Sequence, residues 1–536
     1  MICVLWLSAL FLRLYHLGTL PMNFMEDEVL SGYVGRFILQ NGIDLYGNSW
    51  PLWYFDKFGD YYIIGPMYLV GLSTIVFGVT EFAVRFPAAL AGSLVVFPTA
   101  LLSYLIFQKK SIALISALFI SIMPWHLVLS RSTTEGIIGT TIFLTGICAL
   151  LYFARSGKVK YLFSAAALFL ITYFVYHPFR IYAPMVFIPL PFLFPKLWKA
   201  KNTLLSTILV VVGFIILTGY ISTTPWGSGR FEQTSIFSPL AGVERKIQEQ
   251  IYATGQGNIL QARIFHNKII GYGREFITQY VRYFSPNFLI SSFGAESRYS
   301  IPDQGLIYYT YFFLIILSVI PFSKLKVKID NKMALYFIFL LLLAPVPAAL
   351  TFSGSPNIHR SIFMSVLLVI PVAYGAYKMT LLPYKKILIF GVVLMISTEF
   401  LYFWHQYSVQ SDLTTSLRRN DGYKQMVEYV LQHEHEYDRV IIPSEGTSAI
   451  YYLFYSNNFG KKYAEFFEKD VKISSINSVL FVESSCPEID DSTEEGNILY
   501  VNRYDCPTSI DTVQLERIQG RNELLGFRMS TNSMEE

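Results

Sequence analysis

Tyr61-Tyr62-Ile63-Ile64-Gly65-Pro66-Met67-Tyr68-Leu69-Val70-Gly71-Leu72-Ser73-Thr74-Ile75-Val76-Phe77-Gly78 is apolar and long enough to be mistaken for a membrane span. Its reading decides the fold. If it crosses the bilayer, with the amino terminus inside, every lysine-rich loop downstream falls on the outer face, against the rule that short cytoplasmic loops carry Lys and Arg. Two arrangements keep the lysines inside. Either residues 61–78 lie in the outer interface, or the first helix enters from outside and Met25-Glu26-Asp27-Glu28 is cytoplasmic. The first arrangement is adopted, because the loop from Glu26 to Asp60 has far more acids than bases. It predicts about eleven spans plus juxtamembrane helices, with the carboxyl-terminal region on the outer side.

The rest of the chain fits that frame. Hydrophobic residues make up 53% of the 536 and mean hydropathy is +0.42, too apolar for a soluble protein. Repeated apolar runs of about 20 residues match the thickness of hydrocarbon. Ile2 to Leu20 lacks a basic leader and a small-residue cleavage site and contains Arg13, so it reads as a retained helix. Further candidate spans are Val84–Phe107, Ile112–Leu129, Thr133–Ala154, Tyr161–Tyr176, Ile181–Phe194, Thr203–Ser222, Leu306–Phe322, Met333–Phe352, Ser361–Tyr377 and Ile387–His405. The basic connections are Lys109-Lys110, Arg155 to Lys160, Lys196 to Lys201, Lys324 to Lys332 and Lys378 to Lys386. They alternate with connections rich in Pro, His and single arginines.

Two domains are expected: a transmembrane domain over 1–406, with outer loops 21–83 and 223–305, and a small α/β domain over 407–536. In the latter, Asp421–His433 and Ser448–Tyr455 read as helices, and Arg439–Ile442, Val479–Val482, Ile498–Asn502 and Val513–Ile518 as strands. Cys486 and Cys506 lie on the oxidising side and are expected to pair. In the outer loop, Val243–Ile251 reads as a helix and Gly227-Ser228-Gly229-Arg230 as a turn. The run Asp490-Asp491 with Glu494-Glu495 reads as a solvated loop. There is no P-loop, complete GxGxxG or basic arm, so nucleotide and nucleic-acid binding have no support.

The topology collects ionisable groups at one face. Glu26, Asp27, Glu28 and Lys57 come first, then Arg85; His126, Arg131 and Glu135 straddle the next outer turn, followed by His177 with Arg180 and His359 with Arg360. Singly, each has a structural reading. The acids cap a helix, the arginines reach headgroups, His126 packs in a core, His177 caps a helix end and Glu135 pairs with Arg131. Together, at membrane depth, they are candidates for function.

The same residues carry a resemblance. An acidic Asp27-Glu28 pair follows the first helix; Lys57-Phe58-Gly59-Asp60-Tyr61-Tyr62 leads to Pro66; Arg85-Phe86-Pro87-Ala88 follows; then come Pro124-Trp125-His126, Ser130-Arg131, Tyr176-His177 with Arg180, and His359-Arg360. The pattern resembles the GT-C glycosyltransferases related to dolichyl-phosphate-mannose protein mannosyltransferases and aminoarabinose transferases. It covers the first 200 or so residues well and the later spans loosely. Departures are Gly65, where the family usually has a second proline, and Glu135, where many members have aspartate.

The resemblance implies a polyprenyl-phosphate sugar donor used on the non-cytoplasmic face, a juxtamembrane helix at 61–78, and Asp27 as catalytic base. Glu28 accompanies Asp27. Lys57, Arg85, Arg131, His177, Arg180 and Arg360 are the donor-phosphate candidates, and Glu26, His126, Glu135 and His359 are acceptor or structural candidates. The chemistry agrees without the family. Inverting transfer needs one carboxylate to take the acceptor proton, and cations to face the departing phosphate without a metal. No cofactor is indicated. The expected partners are the lipid-linked donor, a lipid, glycan or protein acceptor, and the membrane. The expected location is a bacterial plasma membrane with the site and the carboxyl-terminal domain outside. The competing classes are a transporter or flippase of lipid-linked sugars and a membrane-anchored receptor. A transporter should show paired, Gly/Pro-broken spans in corresponding halves, and none is seen.

Overall fold

A computed structural model describes residues 1–57, 60–254, 256–293, 297–321, 329–444, 448–466, 475–490, 496–509, 512–519 and 526–532. Asp491, Glu494 and Glu495 of the expected acidic loop, part of the Lys324–Lys332 connection, and Phe58-Gly59 lie outside these residues. The chain divides into two compact units, one of residues 1–13, 90–130 and 134–406, the other of residues 14–89, 131–133 and 407–536.

The first unit is helical. Among the described residues of the whole chain, five helices are long and apolar enough to cross a membrane: Glu81–Phe107, Glu135–Ser156, Lys201–Ser222, Asn331–Ala349 and Lys385–Thr415. Seven shorter apolar helices accompany them, Ile2–Leu14 and Gly65–Phe77 included. Lys201–Ser222 and Lys385–His405 turn leucines, isoleucines and phenylalanines outward along their whole length, Ile216 and Phe390 among them. Such faces are stable against lipid and costly against water. Glu135–Ser156 packs along Val159–Tyr173, the pair being joined through left-handed Gly157.

Each expected span has a helical counterpart, and four are broken, Val84–Phe107 among them at Val95. Ile112–Leu129 divides into Lys110–Ile122 and Pro124–Leu129. Met123, before a proline, takes an extended backbone because the ring excludes the helical one. Ile181–Phe194 and Met333–Phe352 divide likewise, near Pro189 and Pro345. Residues 227–230 are not a turn. They lie in helix Pro225–Thr234, which begins with its proline at the first position, where no N–H is needed.

The second unit joins the acidic segment to the polar region. Helices Glu26–Asn41 and Gly65–Phe77 cross so closely that a Cβ added to Gly35 would lie 2.0 Å from the Met67 carbonyl oxygen. Their apolar faces (Val29, Tyr33, Phe37, Met67, Val70) share one core with Met426, Val430, Leu453 and Phe454 of helices Tyr423–His433 and Ser448–Tyr455. Cross-ties are specific. Tyr33 donates to the Asn458 carbonyl at 2.9 Å, and the Asn41 amide donates to that of Phe459 at 2.8 Å.

A hairpin of β1 (Phe55–Lys57) and β2 (Asp60–Tyr62) lies beside this pair of helices, with Phe55 in the core. The polar region is built on a six-stranded sheet of β3 (Arg439–Pro443), β4 (Ser475–Ile476), β5 (Val479–Val482), β6 (Ile498–Arg503), β7 (Val513–Gln519) and β8 (Gly526–Thr531), ordered β4-β5-β3-β6-β8-β7. β3 runs parallel to both β5 and β6, and the remaining pairs are antiparallel. Cys486 and Cys506 are joined by a disulfide. Beside it, Glu488 is buried. Burial alone would push its carboxyl up, but hydrogen bonds from Thr512, the Ser509 N–H, Ser530 and Arg528 hold it below the usual carboxylate range.

Candidate active site

Glu26, Asp27 and Glu28 form the first turn of helix Glu26–Asn41, where carboxylates oppose the exposed N–H groups of the helix end favourably. Successive residues on an α-helix point about 100° apart, so the three acids face three environments. The structure gives each a different partner.

Glu26 takes an ion pair from Lys57 on β1. Asp27 accepts a hydrogen bond from the Tyr62 hydroxyl on β2 at 3.0 Å. Phe55 and Tyr62 are opposed across the hairpin, and Lys57 lies two residues from Phe55, so Lys57 and Tyr62 share a face. The Lys57 ammonium stands 5.8 Å from the Tyr62 ring centre. Glu26, Asp27, Lys57 and Tyr62 are all half-buried and keep contact with solvent.

Glu28 turns inward and is fully buried. Arg85 grips it with both prongs, Nε to Oε1 at 3.0 Å and a terminal nitrogen to Oε2 at 3.2 Å. Arg419 donates to Oε2 at 3.3 Å, the Met25 N–H to Oε2 at 3.2 Å and the Thr133 N–H to Oε1 at 3.1 Å. Burial alone would raise the Glu28 carboxyl. The two guanidinium charges, with the hydrogen bonds from Arg85 and Met25, more than offset that and hold it below the ordinary glutamate value. Both guanidiniums also donate to main-chain carbonyls: Arg85 to Leu17, Pro21 and Asn23, and Arg419 to Met22 and Asn23. Arg131, also buried, donates to the carbonyls of Tyr15 and Leu20 and to the Tyr407 hydroxyl.

The predicted residues thus fall into two sets. Glu26, Asp27, Glu28, Lys57, Arg85 and Arg131 belong to the second unit, and the first four with Arg85 form one connected cluster. His126, Glu135, His177, Arg180, His359 and Arg360 belong to the first unit, where Gly136, next to Glu135, lies against Tyr176 and the His359 carbonyl. His126 is buried, its Nδ1 3.1 Å from Arg13. His177 Nδ1 lies 3.2 Å from Arg180, which also donates to the Tyr173 carbonyl and covers the Trp226 ring at 5.7 Å. His359 packs on Tyr299, Arg360 donates to the Ser353 carbonyl at 2.9 Å, and Glu135 opens helix Glu135–Ser156.

Sequence reasoning missed Arg419, Tyr62 as the Asp27 partner, and Arg13 as the partner of His126. Arg418-Arg419 at the start of the polar region was the available signal for the first. Among the described residues, no three His, Cys, Asp or Glu side chains gather as a metal site.

Comparison with known proteins gives a match over part of the chain. Residues 64–226 match the model of the dolichyl-phosphate-mannose-protein mannosyltransferases. The segment includes Arg85, Arg131, His177 and Arg180 and excludes the acidic triplet and the polar region. This agrees with the glycosyltransferase resemblance read from the sequence. No curated protein matches. Among solved structures, ArnT from Cupriavidus metallidurans bound to undecaprenyl phosphate is similar at 10% identity and a TM-score of 0.47, over 99% of this chain and 96% of that one. The apo state of the same protein is similar at 12% identity and a TM-score of 0.38, with the same coverage.

Proposed function

We propose that this chain is a membrane glycosyltransferase that moves a sugar from a polyprenyl-phosphate donor to an acceptor hydroxyl. The observation that carries the reading is the half-buried patch of Glu26, Asp27, Lys57 and Tyr62: Tyr62 donates to the Asp27 carboxylate, and the Lys57 ammonium, paired with Glu26, stands 5.8 Å from the Tyr62 ring centre. Asp27 takes the acceptor proton as the hydroxyl attacks the anomeric carbon, and Lys57 faces the departing phosphate. The sugar–phosphate C–O bond breaks as the new glycosidic bond forms, with inversion. The buried Glu28 serves as an anchor rather than a second base, because both its oxygens are already engaged by cations and N–H groups.

Mass spectrometry of lipid that co-purifies with the protein tests the donor class, and a polyprenyl-phosphate hexose or pentose is expected. Replacing Lys57 with Gln should raise the donor KM about tenfold or more, the loss of one charge-assisted contact, with a smaller effect on kcat. An unchanged donor KM would remove Lys57 from the phosphate site.

The same reading puts loop 21–83 and the carboxyl-terminal region outside. In a background lacking Cys3 and Cys148, the exposed positions Leu52→Cys and Lys461→Cys should react with an impermeant thiol reagent in intact cells, and Lys158→Cys should not. Labelling of Lys158→Cys alone would invert the topology.

A further inference from the structure

Arg419 stands 391 residues from Glu28 in the chain, yet it completes the shell around that carboxylate. Three acceptors converge on its single planar head: the Met22 carbonyl at 2.9 Å from Nε, and the Asn23 carbonyl and Glu28 Oε2, each 3.3 Å from one terminal nitrogen. Met22 and Asn23 are the residues that lead into the acidic turn, and Glu28 is its inner anchor. One guanidinium therefore ties both the approach to the turn and the turn itself. It is only 2% exposed.

We infer that Arg419 is a positioning residue for the transfer reaction, setting the place of the Asp27 carboxylate through Glu28 and the 22–23 carbonyls. This rests on the Asp27 reading above. Asp27 is the neighbour of Glu28 on a helical turn whose outer side meets the hairpin, through Tyr62 and through Lys57 on Glu26. With Arg419 removed, Arg85 remains on Glu28, but the tie from Glu28 to residues 22–23 is halved. Arg85 reaches the Asn23 carbonyl and leaves that of Met22. The turn then has a second position available, and a base displaced by about 1 Å loses about 10²-fold in rate. The polar region thereby becomes part of the catalytic apparatus while touching no reacting atom.

The protein is assayed in detergent, with a bacterial membrane extract supplying the acceptor hydroxyl, for release of undecaprenyl phosphate from undecaprenyl-phosphate-linked mannose, glucose and aminoarabinose, using whichever the wild type turns over. Arg419→Lys keeps the charge but cannot meet three acceptors in one plane. It should fold and lose roughly 10- to 100-fold in kcat with the donor KM nearly unchanged. Arg419→Ala should lose at least as much and regain part of it in millimolar guanidinium, which refills the space. Lys424→Ala, which breaks the ion pair of Lys424 with Glu81 without touching Glu28, should leave kcat as in the wild type. If Arg419→Ala does not fold, Arg419→Lys decides. Wild-type kcat in Arg419→Lys, a loss confined to KM, or an equal loss in Lys424→Ala would overturn the inference. Asp27→Asn is run beside them. If it retains transfer, the base reading fails; if it is inactive while the Arg419 variants are normal, only the role of Arg419 fails.

Discussion

Asp27→Asn should lower the rate of transfer by about 10²–10⁴-fold, the usual worth of a general base. The amide keeps the shape of the carboxylate and still accepts from the Tyr62 hydroxyl, so the turn should stay in place. Binding of the lipid-linked donor should survive, because Lys57 and its pairing with Glu26 are untouched. The check is a paired measurement of donor binding and of the single-turnover rate with excess enzyme. Unchanged transfer would return the acidic triplet to a helix cap and leave the patch without chemistry. A lost rate together with lost donor binding would point to a disturbed fold instead of a missing base.

Glu28→Gln should act on stability. It leaves Arg85 and Arg419 buried with two positive charges and no counter-charge, and breaking a buried pair in this way costs about 3–5 kcal/mol. The melting temperature should fall by about 6 °C or more, given the slope expected for a unit of this size. A pH series separates this from lost packing. The folded Glu28 pKa lies below its unfolded value, so its stabilisation is complete above the ordinary glutamate pKa of about 4.3. It is lost as pH falls through that value towards the folded one. The wild type should lose stability over this window, and Glu28→Gln should lose less. Equal melting temperatures at neutral pH would show that the buried shell contributes nothing net.

Much of the fold was legible because hydrocarbon imposes length. The apolar runs locate the helices, Gly65–Phe77 among them. The breaks at Met123 and near Pro189 and Pro345 were missed because hydropathy is blind to backbone sterics. In the polar region four strands were read from β-branched runs, but the two-residue β4 and the longer β8 were not. Its Gly526-Phe527-Arg528-Met529-Ser530-Thr531 sequence alternates polar and apolar residues and yet is buried throughout. Glu488 and the neighbouring hydrogen bonds supply the partners that its Arg528 and Ser530 need there.

The acidic triplet was visible as a charge anomaly, and the hairpin residues as part of a motif. Which acid turns inward was not, because helical phase depends on where the first turn begins. The contribution of Arg419 was invisible for a different reason. A contact across 391 residues has no local signature, and a dibasic pair at the edge of a polar region usually faces water.

The crossing at Gly35 also makes the helix a lever. Gly35 lies nine residues from Glu26, so at 1.5 Å per residue the acidic turn rides at the end of an arm about 13 Å long. A methyl group at the fulcrum has no space, with the Met67 carbonyl 2.0 Å from where it would sit. The helix could admit it only by tilting, and a tilt of about 10° carries the far end through about 2 Å. That is several times the tolerance of about 0.5 Å within which a reacting group must be held. A single carbon buried on the far side of the unit can therefore uncouple the reaction while every residue of the patch is still present.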